Sequence, residues 1–104
     1  ESRGMTPPPG AEPCFVYILK CADGSYYVGC TTNLIERERA HNAGFTSEHT
    51  ARHRPVRLVH SEPHDSWSAA RKREAQLERW SHAKKQALVE GDLDGIHRLA
   101  KRRG

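Results

Sequence analysis

Two short segments rich in Val, Ile, Tyr and Phe flank an Asp-Gly pair near the start of the chain. The first runs over residues 15–20 and the second over residues 25–30, with Asp23 and Gly24 between them. β-branched and aromatic residues favour pleated strands, and glycine supplies the positive φ that a tight turn requires. The stretch therefore predicts a β-hairpin, against which the rest of the chain must pack.

The register of this hairpin decides which side chains share a face. If the turn is centred near Ala22, Tyr17 lies opposite Tyr27, and the period of two places both phenols on one face. Cys14 would then face Cys30, and a disulfide between them under oxidation stays open as an alternative. Paired tyrosines are more often cross-strand packing than a site, so a functional interpretation depends on the following segments.

A short helix is predicted directly after the hairpin. Asn33 followed three residues later by Glu36 is typical of a helix start, and Gly44 is a natural left-handed helix end. Within this helix, Arg37 and His41 lie four residues apart and therefore share a face.

The remaining segments complete the predicted fold. Residues 45–55 show no hydrophobic period and predict a surface loop, and residues 56–61 predict a third strand between two prolines. A long helix is expected to begin at residue 65 or 66, and a further helix is expected to be capped by Ser81. The predicted fold class is α/β (α+β), a small three-stranded antiparallel sheet flanked by helices.

The long helix carries a carboxylate on its apolar face. Four side chains fall within a stripe about 80° wide: Trp67, Ala70, Glu74 and Leu77. Burying an unpaired carboxylate costs several kcal/mol, so Glu74 must be hydrogen-bonded, ion-paired, bound to a metal or directed into a wet cleft. An ion pair with Arg71 or Arg37 is the alternative to a functional site.

Five residues occur in a definite order along the predicted elements: a tyrosine in each hairpin strand, an Arg and a His on the next helix, and a glutamate on the long helix. In these positions the chain resembles the GIY-YIG nuclease family, in particular its small stand-alone bacterial members. Val16-Tyr17-Ile18 corresponds to the first half-motif and Tyr27-Val28-Gly29 to the second. The resemblance runs from about residue 15 to about residue 88 and implies the GIY-YIG type of fold.

Two positions depart from the family pattern. Phe15 stands where the first half-motif has glycine, which is a mild change because the tyrosine carries the chemistry. Many members also place an asparagine late in the domain near the metal, and no asparagine follows Asn42 in this chain. The candidate substitutes are Ser81, His82 and Gln86, and the alternative is that this role is absent from the chain.

The resemblance implies a divalent-metal-dependent endonuclease that hydrolyses DNA. Five residues form the implied catalytic site: Tyr17, Tyr27, Arg37, His41 and Glu74. The first phenol would act as a general base or orient the water, and the second would position the water or the phosphate. The arginine would bind phosphate oxygens, and the histidine would donate to phosphate or shuttle a proton, unless it is only a helix-end residue. The carboxylate would hold one Mg²⁺ or Mn²⁺.

Positive charge is concentrated in the second half of the chain. Residues 1–65 contain 7 Lys/Arg and 8 Asp/Glu, whereas residues 66–104 contain 10 and 5, within a net charge of +4. A basic half suits phosphate attraction, although solvated helical faces are often equally basic. We expect recognition of DNA by structure or strandedness, with single strands favoured if Tyr26 or Trp80 is exposed. The expected DNA contacts are Arg39, Arg71, Lys72, Arg73, Arg79, Lys84 and Lys85.

The length of 104 residues allows one small domain. Residues 1–13 are expected to be an expression-tag remnant and a disordered Pro-rich lead, 14–90 the nuclease domain, and 91–104 a short helix with a basic tail. The sequence shows no apolar run of about 18 residues and no signal-peptide pattern, and its three cysteines lack zinc-site spacing. We therefore expect a cytoplasmic protein that has no membrane segment.

Two alternatives to an enzyme stay open at this point. A non-catalytic nucleic-acid-binding module would bind DNA in a salt-dependent manner without cutting it. A subunit that requires a partner protein would act only when that partner is added. The sequence leaves the oligomeric state open.

Overall fold

The structure, a computed structural model, describes residues 13–101 and the side chains of residues 13–99. The predictions for residues 1–12 and for the end of the basic tail at residues 102–104 lie outside this part of the chain. Within it, no helix combines the length and the apolar character needed to cross a membrane.

Three strands form one antiparallel sheet with the order β2-β1-β3. They span Cys14–Lys20 (β1), Tyr26–Thr31 (β2) and Arg57–His64 (β3). The predicted three-stranded antiparallel sheet is confirmed, and its first strand is central. The third strand continues past its predicted end through Pro63, because an edge strand tolerates a residue that has no N–H to donate.

The hairpin register differs from the prediction by two residues. Tyr17 pairs with Gly29 and Leu19 pairs with Tyr27, so the two tyrosines do not lie opposite each other. Because side chains alternate with a period of two, this shift leaves both phenols on the predicted common face.

The turn explains the shifted register, because it is centred at Asp23 rather than at Ala22. Asp23 Oδ1 accepts hydrogen bonds from the backbone N–H of Ser25 at 3.0 Å and from its hydroxyl at 2.6 Å. Gly24 takes a φ of 90°, which a residue with a Cβ rarely adopts. The side chain of Asp23 therefore sets the turn that the sequence pattern had centred one residue earlier.

The same shift corrects the expected contact between two cysteines. Val16, rather than Cys14, lies opposite Cys30, and Cys14 pairs with His64 of β3. Cys14 and Cys30 are therefore diagonal neighbours on one face of the sheet.

Helices connect and cover the strands. Within the described residues these are α1 (Leu34–Ala43), α2 (Glu48–Arg52), α3 (Trp67–Glu78), α4 (His82–Glu90) and α5 (Leu93–Lys101). The predicted caps are confirmed: the side chains of Asn33, Ser66 and Ser81 each accept from a backbone N–H of the following first turn. Gly44 and Gly91 end α1 and α4 in the left-handed conformation.

The prediction of a surface loop over residues 45–55 is wrong in part, because this segment contains α2. Ser47 caps the helix, and Glu48 pairs with Arg52 at 3.0 Å across one turn. Thr50 is completely buried. Five helical residues are too few to show a period, although Ser47 followed by an acidic residue is a helix-start signal.

The two faces of the sheet carry separate clusters of buried side chains. On one face, Val16 and Ile18 of β1 pack against Ala70 and Leu77 of α3. Trp67 departs from the predicted stripe, because its side chain is 45% exposed. Four residues form the cluster on the other face: Tyr17, Leu19, Cys21 and Val56.

An ion pair attaches α3 to the edge strand β3. Glu62 accepts from Arg73 Nε at 3.0 Å and Nη2 at 2.9 Å, and it is hydrogen-bonded to His60 at 3.0 Å and His64 at 3.2 Å. Burial by itself would raise the pKa of Glu62, but the hydrogen bonds and the charge of Arg73, with help from both histidines, lower the pKa to about 2. Arg73 therefore has a structural partner.

Candidate active site

The phenol of Tyr17 lies against the backbone of the neighbouring strand at Gly29. Tyr17 is only 2% exposed. A Cβ added at Gly29 would overlap Tyr17 Oη and lie 2.6 Å from Cζ. Because β2 is an edge strand, this arrangement brings a buried phenol from the central strand to the outer edge of the sheet. The glycine of the second half-motif is therefore required here by close approach.

His41 connects the phenol of Tyr17 to the interior of the domain. Its Nε2 lies 3.0 Å from Tyr17 Oη, and its Nδ1 lies 2.8 Å from the hydroxyl of Thr50. The ring of Tyr27 meets the imidazole edge-on, with the ring centroids 4.9 Å apart. His41 is 1% exposed, so both phenols and a threonine surround a buried imidazole.

Arg37 lies one turn before His41 on α1 and is half-buried. Burial, and secondarily the charge of Arg37, lower the pKa of His41 to about 4. The imidazole is therefore neutral at neutral pH and carries one hydrogen on its two nitrogens.

Glu74 approaches the site from α3, which packs on the opposite face of the sheet. Its side chain is 16% exposed. Its Oε1 accepts from the thiol of Cys30 at 3.2 Å and from Arg71 Nη1 at 3.4 Å. The carboxylate is thus not sealed in the core, and the ion pair that the sequence left open is made with Arg71.

The groups on the two faces act on one another across β2. Burial and the neighbouring phenol of Tyr27 raise the pKa of Tyr17 well above its ordinary value. The charge of Arg37 acts in the opposite direction, and the carboxylate of Glu74 adds to the rise. Gly29 allows the phenol to lie against β2 on one side of the strand, and Cys30 contacts the carboxylate on the other. Three of the predicted residues, Tyr27, Arg37 and Glu74, therefore act on the protonation of the Tyr17 phenol.

The donor set at Glu74 suits a hard divalent cation. Mg²⁺ keeps several waters and is usually bound through one or two carboxylates, so one glutamate is a sufficient protein ligand. Within the described residues, no three or more His, Cys, Asp or Glu side chains are grouped as a metal cage. Both contacts of Glu74 fall on Oε1. The residues present thus fit a hydrated Mg²⁺ or Mn²⁺ better than a zinc cage.

The seven expected DNA contacts differ in their surroundings. Arg71 is paired with Glu74 and its guanidinium lies 5.5 Å from the ring centroid of Trp67. Arg73 is engaged by Glu62. Lys84 and Lys85 on α4 are half-buried, and the other expected contacts are exposed: Arg39, Lys72 and Arg79.

The aromatic side chains considered for base stacking are both half-buried. Tyr26 stacks on His82, with the ring centroids 4.8 Å apart. The ring of Trp80 packs against the core, with Lys84 Nζ 4.3 Å and Arg73 Cζ 5.2 Å from its centroid. Neither ring therefore presents an open stacking face.

The candidate substitutes for the late asparagine also have local partners. Ser81 caps α4, and the His82 ring lies against Tyr26. Gln86 donates to Glu90 at 3.1 Å. Sequence reasoning did not identify Thr50, whose contact with His41 joins residues nine positions apart. The signal in the sequence that could have indicated an ordered segment there is Ser47, the N-cap of α2, followed by the acidic Glu48.

Comparison with known proteins identifies the family of the chain. The GIY-YIG catalytic domain matches residues 13–87 of the chain. A UPF0213 protein of Listeria monocytogenes serotype 4b is 45% identical over 79 residues, which cover 76% of this chain and 89% of that protein. A UPF0213 protein of Natronomonas pharaonis is 47% identical over 75 residues, covering 72% and 88%. The solution NMR structure of an E. faecalis protein is 30% identical with a TM-score of 0.54, covering 77% and 85%. The chain therefore belongs to the GIY-YIG nuclease family and is similar to the small proteins named UPF0213.

Proposed function

We propose that this chain is a divalent-metal-dependent endonuclease that hydrolyses phosphodiester bonds in DNA. The observation that carries the proposal is the setting of Tyr17. Its buried phenol is hydrogen-bonded to His41 and feels the charges of Arg37 and Glu74. Perturbed titratable groups gathered in one place are typical of active sites, and these occupy the motif positions of a nuclease family.

The first requirement of the reaction is stabilisation of the negative charge that develops on the phosphate. Hydrolysis adds negative charge to the phosphoryl oxygens in the transition state, and fixed cationic donors stabilise it. Arg37 is always charged and presents a planar fork of N–H donors that matches phosphate oxygens. Its half-buried position reduces screening by water compared with a fully exposed arginine.

Glu74 is the residue that would hold the cation. When bound, a divalent cation supplies charge compensation at the phosphoryl and leaving oxygens. Arg71 and Cys30 orient the carboxylate through its Oε1. Both donors act on the same oxygen and so fix the orientation of the carboxylate.

The pair formed by Tyr17 and His41 provides the path for a proton. Burial keeps the phenol protonated, so Tyr17 does not act as a free phenolate. The neutral imidazole accepts the phenol hydrogen across 3.0 Å while the phenol oxygen takes a proton from the attacking water. The water becomes hydroxide-like, Tyr17 regains a hydrogen, and His41 becomes imidazolium. This role for His41 fits its partners, because Tyr17 lies at one nitrogen of the imidazole and Thr50 at the other.

Recognition of DNA is proposed to depend on structure or strandedness. Arg39, Lys72 and Arg79 are exposed and available to phosphates. Tyr26 and Trp80 are half-buried and offer little open surface for base stacking. Comparing the cleavage of single-stranded and duplex DNA measures whether they contribute to a preference for single strands.

The second candidate is a nucleic-acid-binding module, or a subunit activated by a partner protein, that does not cut DNA alone. The observation in its favour is that Oε1 of Glu74 already has two partners, Arg71 and Cys30. The absence of an asparagine after Asn42 points in the same direction.

The test is cleavage of end-labelled single-stranded, duplex and branched DNA in Mg²⁺, Mn²⁺ or EDTA. We expect cutting only with a cation, and a loss of about 100-fold or more in Glu74→Gln. Glu78→Gln is the matched control, because Glu78 is exposed and lies one turn further along α3.

The comparison between the two variants separates the candidates. Metal-dependent cleavage that survives in Glu78→Gln and disappears in Glu74→Gln supports the endonuclease. Salt-sensitive DNA binding without cleavage by the wild type supports the binding module, and cleavage that appears only on adding a cell extract supports the partner-dependent subunit.

A further inference from the structure

We infer that Thr50 is a positioning residue that holds His41 in the tautomer whose Nε2 accepts a hydrogen bond from Tyr17. The inference deepens the proposed function, because the proton path from Tyr17 needs a lone pair on Nε2. The tautomer of His41 can be measured whether or not the protein cuts DNA.

Thr50 lies at the centre of α2 and has no exposed surface. Its Oγ1 is 2.8 Å from His41 Nδ1, on the side of the imidazole away from Tyr17. A buried hydroxyl at this distance must be part of a hydrogen bond, since an unsatisfied polar atom in the interior is costly. The imidazole is therefore held at both nitrogens, by Tyr17 at one and Thr50 at the other.

The hydrogen count around Thr50 selects the tautomer. Its hydroxyl has one hydrogen, and its other two neighbours are Ser47 Oγ at 3.2 Å and the carbonyl oxygen of Ser47 at 3.3 Å. A carbonyl oxygen only accepts, so Thr50 is the donor in its contact with the Ser47 carbonyl. Thr50 Oγ1 is then left as the acceptor of an N–H from His41 Nδ1. Nε2 carries the lone pair, and Tyr17 is the donor.

The opposite tautomer disturbs this set of bonds. A hydrogen on Nε2 would turn Tyr17 into the acceptor, and Thr50 would have to direct its only hydrogen to Nδ1. Its contacts with Ser47 would lose that hydrogen, and the phenol would have no lone pair on the imidazole to which it could pass its proton. The tautomer with the hydrogen on Nδ1 lets Thr50 keep its contact with the Ser47 carbonyl, and it gives the phenol hydrogen of Tyr17 an acceptor on Nε2.

The groups that face His41 leave it neutral. Tyr17 faces it from β1, Tyr27 from β2, Arg37 from its own helix and Thr50 from α2. Arg37 is the charged group in this set, and it opposes protonation of the imidazole, as does burial. The choice between the two neutral tautomers thus falls to the hydrogen bonds.

Contacts with the hairpin turn keep α2 in place. The backbone N–H of Ala22 donates to the carbonyl of His53 at 2.9 Å. His53 Nδ1 lies 3.4 Å from Asp23 Oδ2, and His49 Nε2 lies 3.0 Å from the hydroxyl of Ser25. These contacts fix the helix that carries Thr50 against the strand pair that carries the phenols.

The test is the tautomer of His41, measured from long-range ¹H–¹⁵N correlations of the imidazole at neutral pH in the full chain. We expect the Nδ1–H form in the wild type, a shift toward the Nε2–H form in Thr50→Val, and the wild-type form in Thr50→Ser, which keeps the hydroxyl. An Nε2–H wild type, or an unchanged tautomer in Thr50→Val, would overturn the inference. Thr50→Ala replaces Thr50→Val if the latter does not fold, with the same expected shift.

Cleavage kinetics provide the second readout. Thr50→Val is expected to lower kcat by about 10- to 100-fold with KM unchanged, and Thr50→Ser to restore it. Equal kcat in all three proteins, in the presence of a shifted tautomer, would overturn the positioning role. If the wild type cuts no DNA, the proposed function fails, while the tautomer measurement still decides whether Thr50 orients His41.

Discussion

Substitution of Gly29 by alanine tests whether the contact between β2 and the Tyr17 phenol builds the site. The added Cβ would overlap Tyr17 Oη and lie 2.6 Å from Cζ and 3.1 Å from Cε2. Non-bonded carbons prefer separations of about 3.5–4.0 Å, so the ring must move by roughly 1 Å. A shift of this size in a side chain that is 2% exposed breaks the 3.0 Å hydrogen bond to His41.

The magnitude follows from two costs. Overpacking of a well-packed core costs about 1–3 kcal/mol. A buried polar atom of His41 left without its partner costs about 1–3 kcal/mol more. The sum of roughly 2–6 kcal/mol is a large part of the stability of a typical domain, which is about 5–15 kcal/mol. We therefore expect Gly29→Ala to stay folded in the cold, to melt early and to lose cleavage.

The assay is urea unfolding of Gly29→Ala, Tyr17→Leu and the double variant. Leucine lacks the hydroxyl oxygen and the two ring atoms that the new Cβ would meet, so Gly29→Ala should cost less than about 1 kcal/mol in the Tyr17→Leu background. An equal cost of Gly29→Ala in both backgrounds would refute the explanation, because the glycine would then be required for a reason unrelated to the phenol.

Three further predictions concern separate parts of the domain. Because the pKa of Glu62 is lowered, the ionised carboxylate stabilises the fold fully above about pH 4.5, and this contribution to the free energy of unfolding is lost as the pH falls toward 2. Urea midpoints should report a loss of about 3 kcal/mol over this window in the wild type and a flatter profile in Glu62→Gln, and identical profiles would contradict the assignment. Tyr17→Phe keeps the ring but removes the donor to His41, so kcat should fall by about 100-fold and the free energy of unfolding by about 1–3 kcal/mol; full activity would exclude the proton path. Asn33→Ala removes the N-cap of α1 and should lower the free energy of unfolding by about 1 kcal/mol, and an unchanged urea midpoint would show that the cap bond is not stabilising.

Local signals in the sequence predicted the helices well. Asn33, Ser66 and Ser81 form caps because a side-chain oxygen can satisfy a backbone N–H only a few residues away. Gly44 and Gly91 end helices because they adopt positive φ at little cost. Such interactions are complete within one turn, so they can be recognised without knowledge of the tertiary fold.

Contacts between distant segments could not be predicted in the same way. The hairpin register depends on which residues of the two strands pair, and the residue types that favour strands do not determine that Tyr17 lies opposite Gly29. Thr50 joins the site through a five-residue helix that shows no hydrophobic period. The common face of the two phenols was predictable despite the register, because the period of two survives a shift of two residues.

The surroundings of Glu74 were predictable in part. The helical stripe predicted a carboxylate on the buried side of α3, and its side chain is 16% exposed. The thiol of Cys30 as its partner depends on the packing of α3 over β2, which joins residues 44 positions apart. Periodicity therefore identified the candidate metal ligand, whereas the groups that orient it emerged only from the fold.

The most direct test of the central claim, that the phenols and Glu74 belong to one metal-assisted site, is Mn²⁺ titration followed by paramagnetic broadening of NMR signals. We expect Mn²⁺ to broaden resonances around Glu74, Cys30 and Tyr17 first in the wild type and in Glu78→Gln, and to leave them sharp in Glu74→Gln. Broadening that begins elsewhere, or that persists unchanged in Glu74→Gln, would contradict the account.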